Sequence, residues 1–558
     1  MNRRSRLTAL RAGLVSILLV ALAGCVGVPM TGPVIAGDRV NDEDAPASVL
    51  LPQGPEKDAD PQAILQGFIR AGTGPQGDYE VAREFLTGEI AETWKPNAGV
   101  TVSRAGSENY SQTSPTTLEY SVLPAATVDA HGRYAQSETM GPQVMQFSFA
   151  QVDGQWRISA APDGVVLTGS AFEQIFKPYS VYYFDPTFSY LVPDLRWFPT
   201  PSLARRIVVA LLAGPTEWLA PGVVTEFPNG TSIGPDGVRI EANRVIVDLS
   251  AEAGEADDER LQRMQLQLQH SLREVTSVTS LSLSINQVDV VVPEIVPPGP
   301  AAEPDVDSRT LLSRDGEFGF YERGEIVPIE GISAAAASLG ATSVTLDHSE
   351  RYAAIGTPAG VYAATATGLP VLVDARPGLT DPAIDGQEMI WSVQTGSAAS
   401  LITIDLAGTQ HPIASQLPAD ASVHAIEVSR DGTRLAILLE TDDITRLFVA
   451  AIVREGGVPT ALGPPWELPL AADAVDATWA DSTRVATLDA ADSDYAVTLH
   501  AIGGLATSLG QLPFGSQLVG GNGQDGLRVL GSDGLVFQPR GTGWQSTTIN
   551  AEFLGTRR

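Results

Sequence analysis

The chain has 558 residues, 43% of them hydrophobic, with 35 Lys and Arg against 66 Asp and Glu for a net charge of −31. That apolar content suffices for real cores, and a single core rarely grows past roughly 250–300 residues, so two to four domains are expected. The acidic balance excludes a nucleic acid partner, which needs a basic surface, and broad adhesion to anionic lipid.

Cys25 is the sole cysteine, so there is no intramolecular disulfide and no cysteine zinc site; stability must come from packing. The N-terminus carries Arg3, Arg4, Arg6 and Arg11 without an acid, followed by an apolar run from Ala12 to Ala23. This run suits a signal h-region and is shorter than the roughly 20 residues of a membrane-spanning helix. It ends in Leu22-Ala23-Gly24-Cys25, an order that resembles the lipobox of bacterial lipoproteins. Small residues before the cleavage point fit a peptidase groove, and the thiol that follows can take a thioether-linked diacylglycerol. Residues 1–24 therefore read as a lipoprotein signal peptide. Cys25 reads as the lipidation site, S-linked to diacylglycerol and N-palmitoylated; a plain secretory signal is the alternative. No other apolar run is long enough to span a bilayer.

Residues 25–58 are dense in Pro, Gly and Asp with no clean period, and read as a flexible tether. An α+β domain is expected over 59–172. Asp60-Pro61 is a good N-cap and first-turn pair, and Ile64, Leu65, Phe68 and Ile69 recur at helical spacing. A second helix is predicted around Tyr79 to Thr87. Strands follow, including Thr117–Leu123, Val144–Val152 and a hairpin around Asp153-Gly154. Helices followed by a curved antiparallel sheet resemble the cone-shaped NTF2-like fold.

An α/β unit is expected over 180–293. Tyr182–Phe184 and Tyr190–Pro193 are two strands around a turn at Asp185-Pro186, and Ser202 to Leu212 is a helix ended by Gly214-Pro215. Ser232–Ile233, Val238–Ile240 and Val245–Leu249 are short strands. Asp257 to Val275 is an amphipathic helix with Leu261, Met264, Leu268, Leu272 and Val275 on one face, and the strand Val288–Val292 closes the unit. Residues 294–306 are a Pro-rich linker, stiff and extended.

Residues 307–558 show short β-like runs separated by turns. The segment from Ser429 to Ala436 (SRDGTRLA) is the clearest unit, with looser echoes at Asp347–Ala354 and Trp479–Ala486. A period near 40–50 residues is that of propeller blades, so an all-β propeller of about five or six blades is predicted; a pair of β-sandwiches is the alternative.

Motifs for catalysis do not stand up. Gly72-Thr73-Gly74-Pro75-Gln76-Gly77 spells a dinucleotide loop but follows a helix, and Pro75 lacks the N–H a phosphate cradle needs. Gly230-Thr231-Ser232-Ile233-Gly234 spells a nucleophile elbow, yet Pro235-Asp236-Gly237 turns it into a strand rather than a helix. The six histidines (131, 270, 348, 411, 424 and 500) show no ligand spacing. Asp489, Asp492 and Asp494 lack the glycine turn and bidentate acid of a calcium loop. No catalytic, metal or cofactor residue is singled out.

The order of these parts resembles the LpqB lipoprotein family of actinobacteria. The middle unit resembles a GerMN domain through Leu211-Leu212-Ala213-Gly214-Pro215-Thr216, Phe227-Pro228-Asn229-Gly230-Thr231 and Val245-Ile246-Val247-Asp248-Leu249-Ser250, followed by the long helix. The run from Cys25 to Val34 also looks like that family's mature N-terminus. The resemblance implies a non-enzymatic lipoprotein, anchored on the extracytoplasmic face of the cell membrane. It would bind the extracytoplasmic domain of a sensor histidine kinase of the MtrB type and tune the MtrA–MtrB two-component system, with effects on cell-wall homeostasis and division. Binding of a solute or wall fragment is the alternative, and a cell-wall hydrolase a more distant one.

Overall fold

The computed structural model describes residues 52–557 except 138–140, 276–277, 294–298, 304–306, 308, 492–493 and 522. The signal segment, Cys25 and most of the tether lie outside the described residues, as do parts of the linker. No helix among the described residues is long and apolar enough to cross a membrane.

The first domain opens with the helix Pro61–Ala71, whose N-cap Asp60 accepts a hydrogen bond from the Ala63 N–H at 2.8 Å. Ile64, Leu65 and Phe68 are buried on its inner face. The helix predicted around Tyr79 to Thr87 is not continuous. Tyr79 is left-handed (φ 61°), only Glu80–Arg83 is helical, and Gly88–Thr93 forms a separate short helix. The intervening chain leaves the helix because Phe85 and Leu86 are drawn beside Ile158, with the Ile158 N–H donating to the Phe85 carbonyl at 2.9 Å. Backbone pairing to a distant strand here outweighs local helical spacing.

Two four-stranded sheets follow, and they share one bent run of chain. Thr117–Val122 belongs to one sheet and Pro124–Asp129 to the other, so the direction changes at Leu123. The expected curvature comes from this bend. The hairpin of Gln143–Val152 with Gln155–Ala160 turns at Asp153 and Gly154, both with positive φ (51° and 76°). That geometry matches the right-handed twist of the flanking strands and favours an Asp-Gly pair.

In the middle unit, Phe176–Phe184 and Leu191–Pro199 pair antiparallel over nine residues each. The helix Leu203–Leu212 and the helix Asp258–Leu272 pack on the same core. Arg244–Leu249 and Ser280–Ile285 are parallel and joined through the second helix, a βαβ connection. The short strands expected at 232–240 are one bulged strand, Ile233–Glu241. Ala301, within the Pro-rich linker, bridges to Tyr190, so this part of the linker is fastened to the unit.

The remaining chain forms six blade-like sheets among the described residues, within the five or six expected. The first blade combines Leu311–Arg314, Glu317–Glu322 and Glu325–Val327 with Phe553–Leu554 from the C-terminus, which closes the ring. The second begins at Ser343–Leu346, the third at Ala383–Ile384, the fourth at Ser422–Val428, the fifth at Ala474–Trp479 and the sixth at Gly515–Val519. The three sequence echoes fall at equivalent places, between the first and second strands of blades two, four and five. In each, an aspartate side chain (Asp347, Asp431 or Asp481) accepts a backbone N–H two residues on. Asp385 does the same in the third blade, with no echo visible in the sequence. The Asp side chain substitutes for a backbone turn, which is why the repeat is legible at that residue. An alanine-rich helix, Ile332–Leu339, links the first two blades.

The middle unit and propeller share a core. One buried cluster contains Leu219, Val247 and Leu268 together with Leu438, Leu447 and Trp479. Glycine permits the approach: a Cβ on Gly222 would stand 3.0 Å from both the Ala451 Cβ and the Thr433 carbonyl oxygen.

Candidate binding cleft and propeller channel

The strand Leu191–Pro199 joins all three domains. Its Trp197 packs against Tyr134 and Phe172 of the first domain, at ring separations of 5.9 and 4.9 Å. The Trp197 backbone N–H donates to the Gly132 carbonyl at 2.8 Å. Its indole N–H donates to the Gly503 carbonyl of the propeller at 2.9 Å. One and three residues earlier in the strand, Arg196 and Asp194 form a buried ion pair at 2.6 Å. Asp194 also accepts the Thr216 N–H at 2.8 Å, and Arg196 reaches the Gly214 carbonyl. Arg133 of the first domain donates to the carbonyls of Gly214 and Pro215. The Gly214-Pro215-Thr216 motif therefore sits at a polar junction between the first and middle domains.

Beside this junction lies a cleft of about 590 Å³. One wall is Tyr134 and Gln136, on the edge strand Tyr134–Gln136. The other is Arg446, Trp466 and Glu467 of the fourth blade and His500 of the fifth. Burial lowers the pKa of His500, so its ring is neutral near pH 7, where Nε2 lies 2.9 Å from Thr487 Oγ1. Arg446 and Glu467 approach within 3.9 Å and are both exposed. Among the described residues, Tyr134–Gln136 pairs only with Pro124–Asp129, and Trp466–Leu468 only with the long strand Ile444–Glu455. Each thus presents an unpaired strand edge.

The second concavity is the narrow axial channel of the propeller, about 70 Å³, lined by the first strands of the second to sixth blades and by Thr556 and Arg557. Asp381, Glu427 and Asp476 face it. Burial pushes Asp476 up to about 8, reinforced by the charges of Glu427 and Asp381. Hydrogen bonds from the Leu518 and Ala477 N–H groups, at 2.7 and 2.9 Å, act in the opposite sense. Burial also raises Asp381. Glu427 accepts from Thr478 Oγ1 and the Trp479 N–H, both at 2.9 Å. Sequence reasoning missed these acids because nothing local distinguishes them among 66; their shared axis arises only on ring closure.

The residues weighed in the sequence stay apart. The 72–77 glycine run follows the first helix, and 230–234 leads into a strand. Asp489 is buried and bonded to Thr498, Asp494 begins the opposite strand, and Asp492 lies outside the described residues. No group of three or more His, Cys, Asp or Glu among the described residues is placed to hold a metal ion.

A ring of blades fused to an α/β unit and an α+β domain, with a cleft between the first domain and the ring, defines a multidomain propeller scaffold. Three matches to known families follow the same order. Residues 54–173 match "Lipoprotein LpqB, N-terminal domain", 180–290 match "Sporulation and spore germination" (Germane), and 313–551 match "Lipoprotein LpqB beta-propeller domain". The chain belongs to the LpqB lipoprotein family. It is 27% identical to Lipoprotein LpqB of Streptomyces coelicolor over 78% of each chain, and 25% identical to that of Cutibacterium acnes over 90% of each. A 31% identical match to Lipoprotein LpqB of Thermobifida fusca covers 50% of this chain and 46% of that one, so it spans about half the length of that relative. Among solved structures, the tandem GerMN domains of GerM from Bacillus subtilis are 19% identical, covering 35% of this chain and 60% of that one, with a TM-score of 0.18.

Proposed function

We propose that this chain is a non-enzymatic lipoprotein, anchored through Cys25 on the extracytoplasmic face of the cell membrane. There it binds the extracytoplasmic domain of an MtrB-type sensor kinase and modulates its signalling. The observation that carries the reading is the ordered family match along most of the chain. The relatives' name, Lipoprotein LpqB, supports the anchor, and the Leu22-Ala23-Gly24-Cys25 sequence supplies its attachment point.

The interdomain cleft is the proposed contact surface. Two unpaired strand edges suit an extended segment of a partner, since strand addition draws affinity from main-chain hydrogen bonds. Trp466 and Arg446 are residue types that often carry interface energy. A lipid anchor would also raise the local concentration of the domains beside a membrane-embedded partner.

Affinity capture from solubilised envelopes tests the reading. The wild-type chain is expected to bring down the sensor kinase, whereas Cys25→Ala shifts the chain to the soluble fraction and loses the kinase. Capture of no kinase, with unchanged target-gene expression on deletion of the lipoprotein, would overturn the proposal.

A further inference from the structure

The first domain holds a separate cavity of about 250 Å³, bounded by the helix Pro61–Ala71 and by strands of both sheets. Phe68, Trp94, Val100, Val128, Phe147 and Val165 line it, and all six are buried. Val100 stands in register with Val128 on one neighbouring strand and Val165 on the other, giving an aliphatic row across three strands. Phe68 meets Trp94 at 5.0 Å and Phe147 at 6.0 Å between ring centroids, which fixes the aromatic part of the wall.

Polar capacity is sparse. The Trp94 indole N–H is already given to the Pro162 carbonyl at 3.0 Å. Asp163 is the one titratable side chain among the described lining residues; it is exposed, and its Oδ1 accepts the Lys95 N–H at 2.9 Å. Thr101 and Gln143 also contribute to the lining, 3.5 Å apart through Oγ1 and Oε1. Among the described residues, no cationic side chain lines the cavity to neutralise a carboxylate or phosphate.

Water in such a site finds few partners, and an apolar cavity of roughly 150 Å³ already accommodates benzene. Thr101 is half-buried and Gln143 exposed, so the charge bearing on a head group there is the Asp163 carboxylate, which disfavours an anion, whereas a hydroxyl needs only one or two hydrogen bonds. From the lining and its charge we infer that this cavity binds the uncharged hydrocarbon chain of a single-chain lipid alcohol. The chain would lie against Phe68, Trp94 and the valine row, with the hydroxyl at Thr101 and Gln143.

The test uses the full chain, with 1-decanol as the neutral probe and decanoate as its charged counterpart. Titration with 1-decanol is expected to give a saturable rise in unfolding temperature, because a ligand bound only to the folded state stabilises it. Decanoate should bind more weakly, because its carboxylate meets no cation among the described lining residues and is repelled by Asp163. Val100→Phe, which fills the cavity, should abolish the decanol response. Crystals soaked in 10-bromodecanol provide an independent readout on the wild type, with bromine expected within the cavity. Bromine only elsewhere, decanoate binding as tight as decanol, or a full decanol response in a folded Val100→Phe variant would each overturn the inference. If that variant does not fold, the bromine position decides.

Discussion

Replacing Asp476 by Asn should stabilise the protein, by an amount that depends on pH. The carboxyl is held near 8, against 3.8 for an ordinary aspartate. Between those values the folded state retains a proton that the unfolded chain has released. Stability must therefore fall as pH rises through this window and level off above about 8. At about 1.4 kcal/mol per unit, the full displacement sets a ceiling of about 6 kcal/mol. The side chain is only half-buried and faces the channel, where solvent screens it, so about 1–3 kcal/mol is the expected effect. Asn carries no titrating proton, but its single oxygen can serve only one of the Leu518 and Ala477 N–H groups, which reach different carboxyl oxygens, so a constant loss underlies the pH-dependent gain. Chemical denaturation of both proteins from pH 4 to pH 9 measures the difference. The Asn variant should gain progressively up to about pH 8 and then run parallel to the wild type. A difference independent of pH, or one that shrinks as pH rises, would refute the assignment of a neutral Asp476.

Trp197→Ala should cost about 3–5 kcal/mol as a large buried aromatic. It should also split one calorimetric transition into two, because the residue ties the first domain to the propeller; a single unchanged transition would contradict that role. Asp194→Ala leaves Arg196 buried without its partner and should lose about 3–5 kcal/mol by denaturant titration. The double replacement Asp194→Leu with Arg196→Met should recover most of that loss. Removing residues 552–558 takes away the strand that pairs with Leu311–Arg314. Proteolysis of the first blade should then accelerate well ahead of global unfolding, and equal cleavage rates would show that the ring closes without it.

Much of the fold was legible where one local signal sufficed. Asp60-Pro61 marked the first helix, Asp153-Gly154 marked a hairpin, and the aspartates of the blade turns marked a repeat. The broken helix after Tyr79 was not legible, because its cause is Ile158, more than seventy residues away in the chain. The helix Ile332–Leu339 was missed because its run of alanine gives little amphipathic contrast. Nor could the candidate sites be read in advance. Trp197 belongs to one strand of the middle unit but contacts both the first domain and the propeller, and Asp476 acquires its neighbours only when the blades close. Of the functional residues read from the sequence, Cys25 is the one given a chemical role, and it lies outside the described residues.

The proposed recognition of a sensor-kinase ectodomain uses the cleft beside Trp197. Titration of the purified MtrB-type ectodomain against the full chain, with a Trp466→Ala/Arg446→Glu variant alongside, tests it most directly. Saturable one-to-one binding by the wild type is expected, with at least about a tenfold loss in the variant, which corresponds to about 1.4 kcal/mol. No binding by the wild type, or undiminished binding by a correctly folded variant, would contradict it.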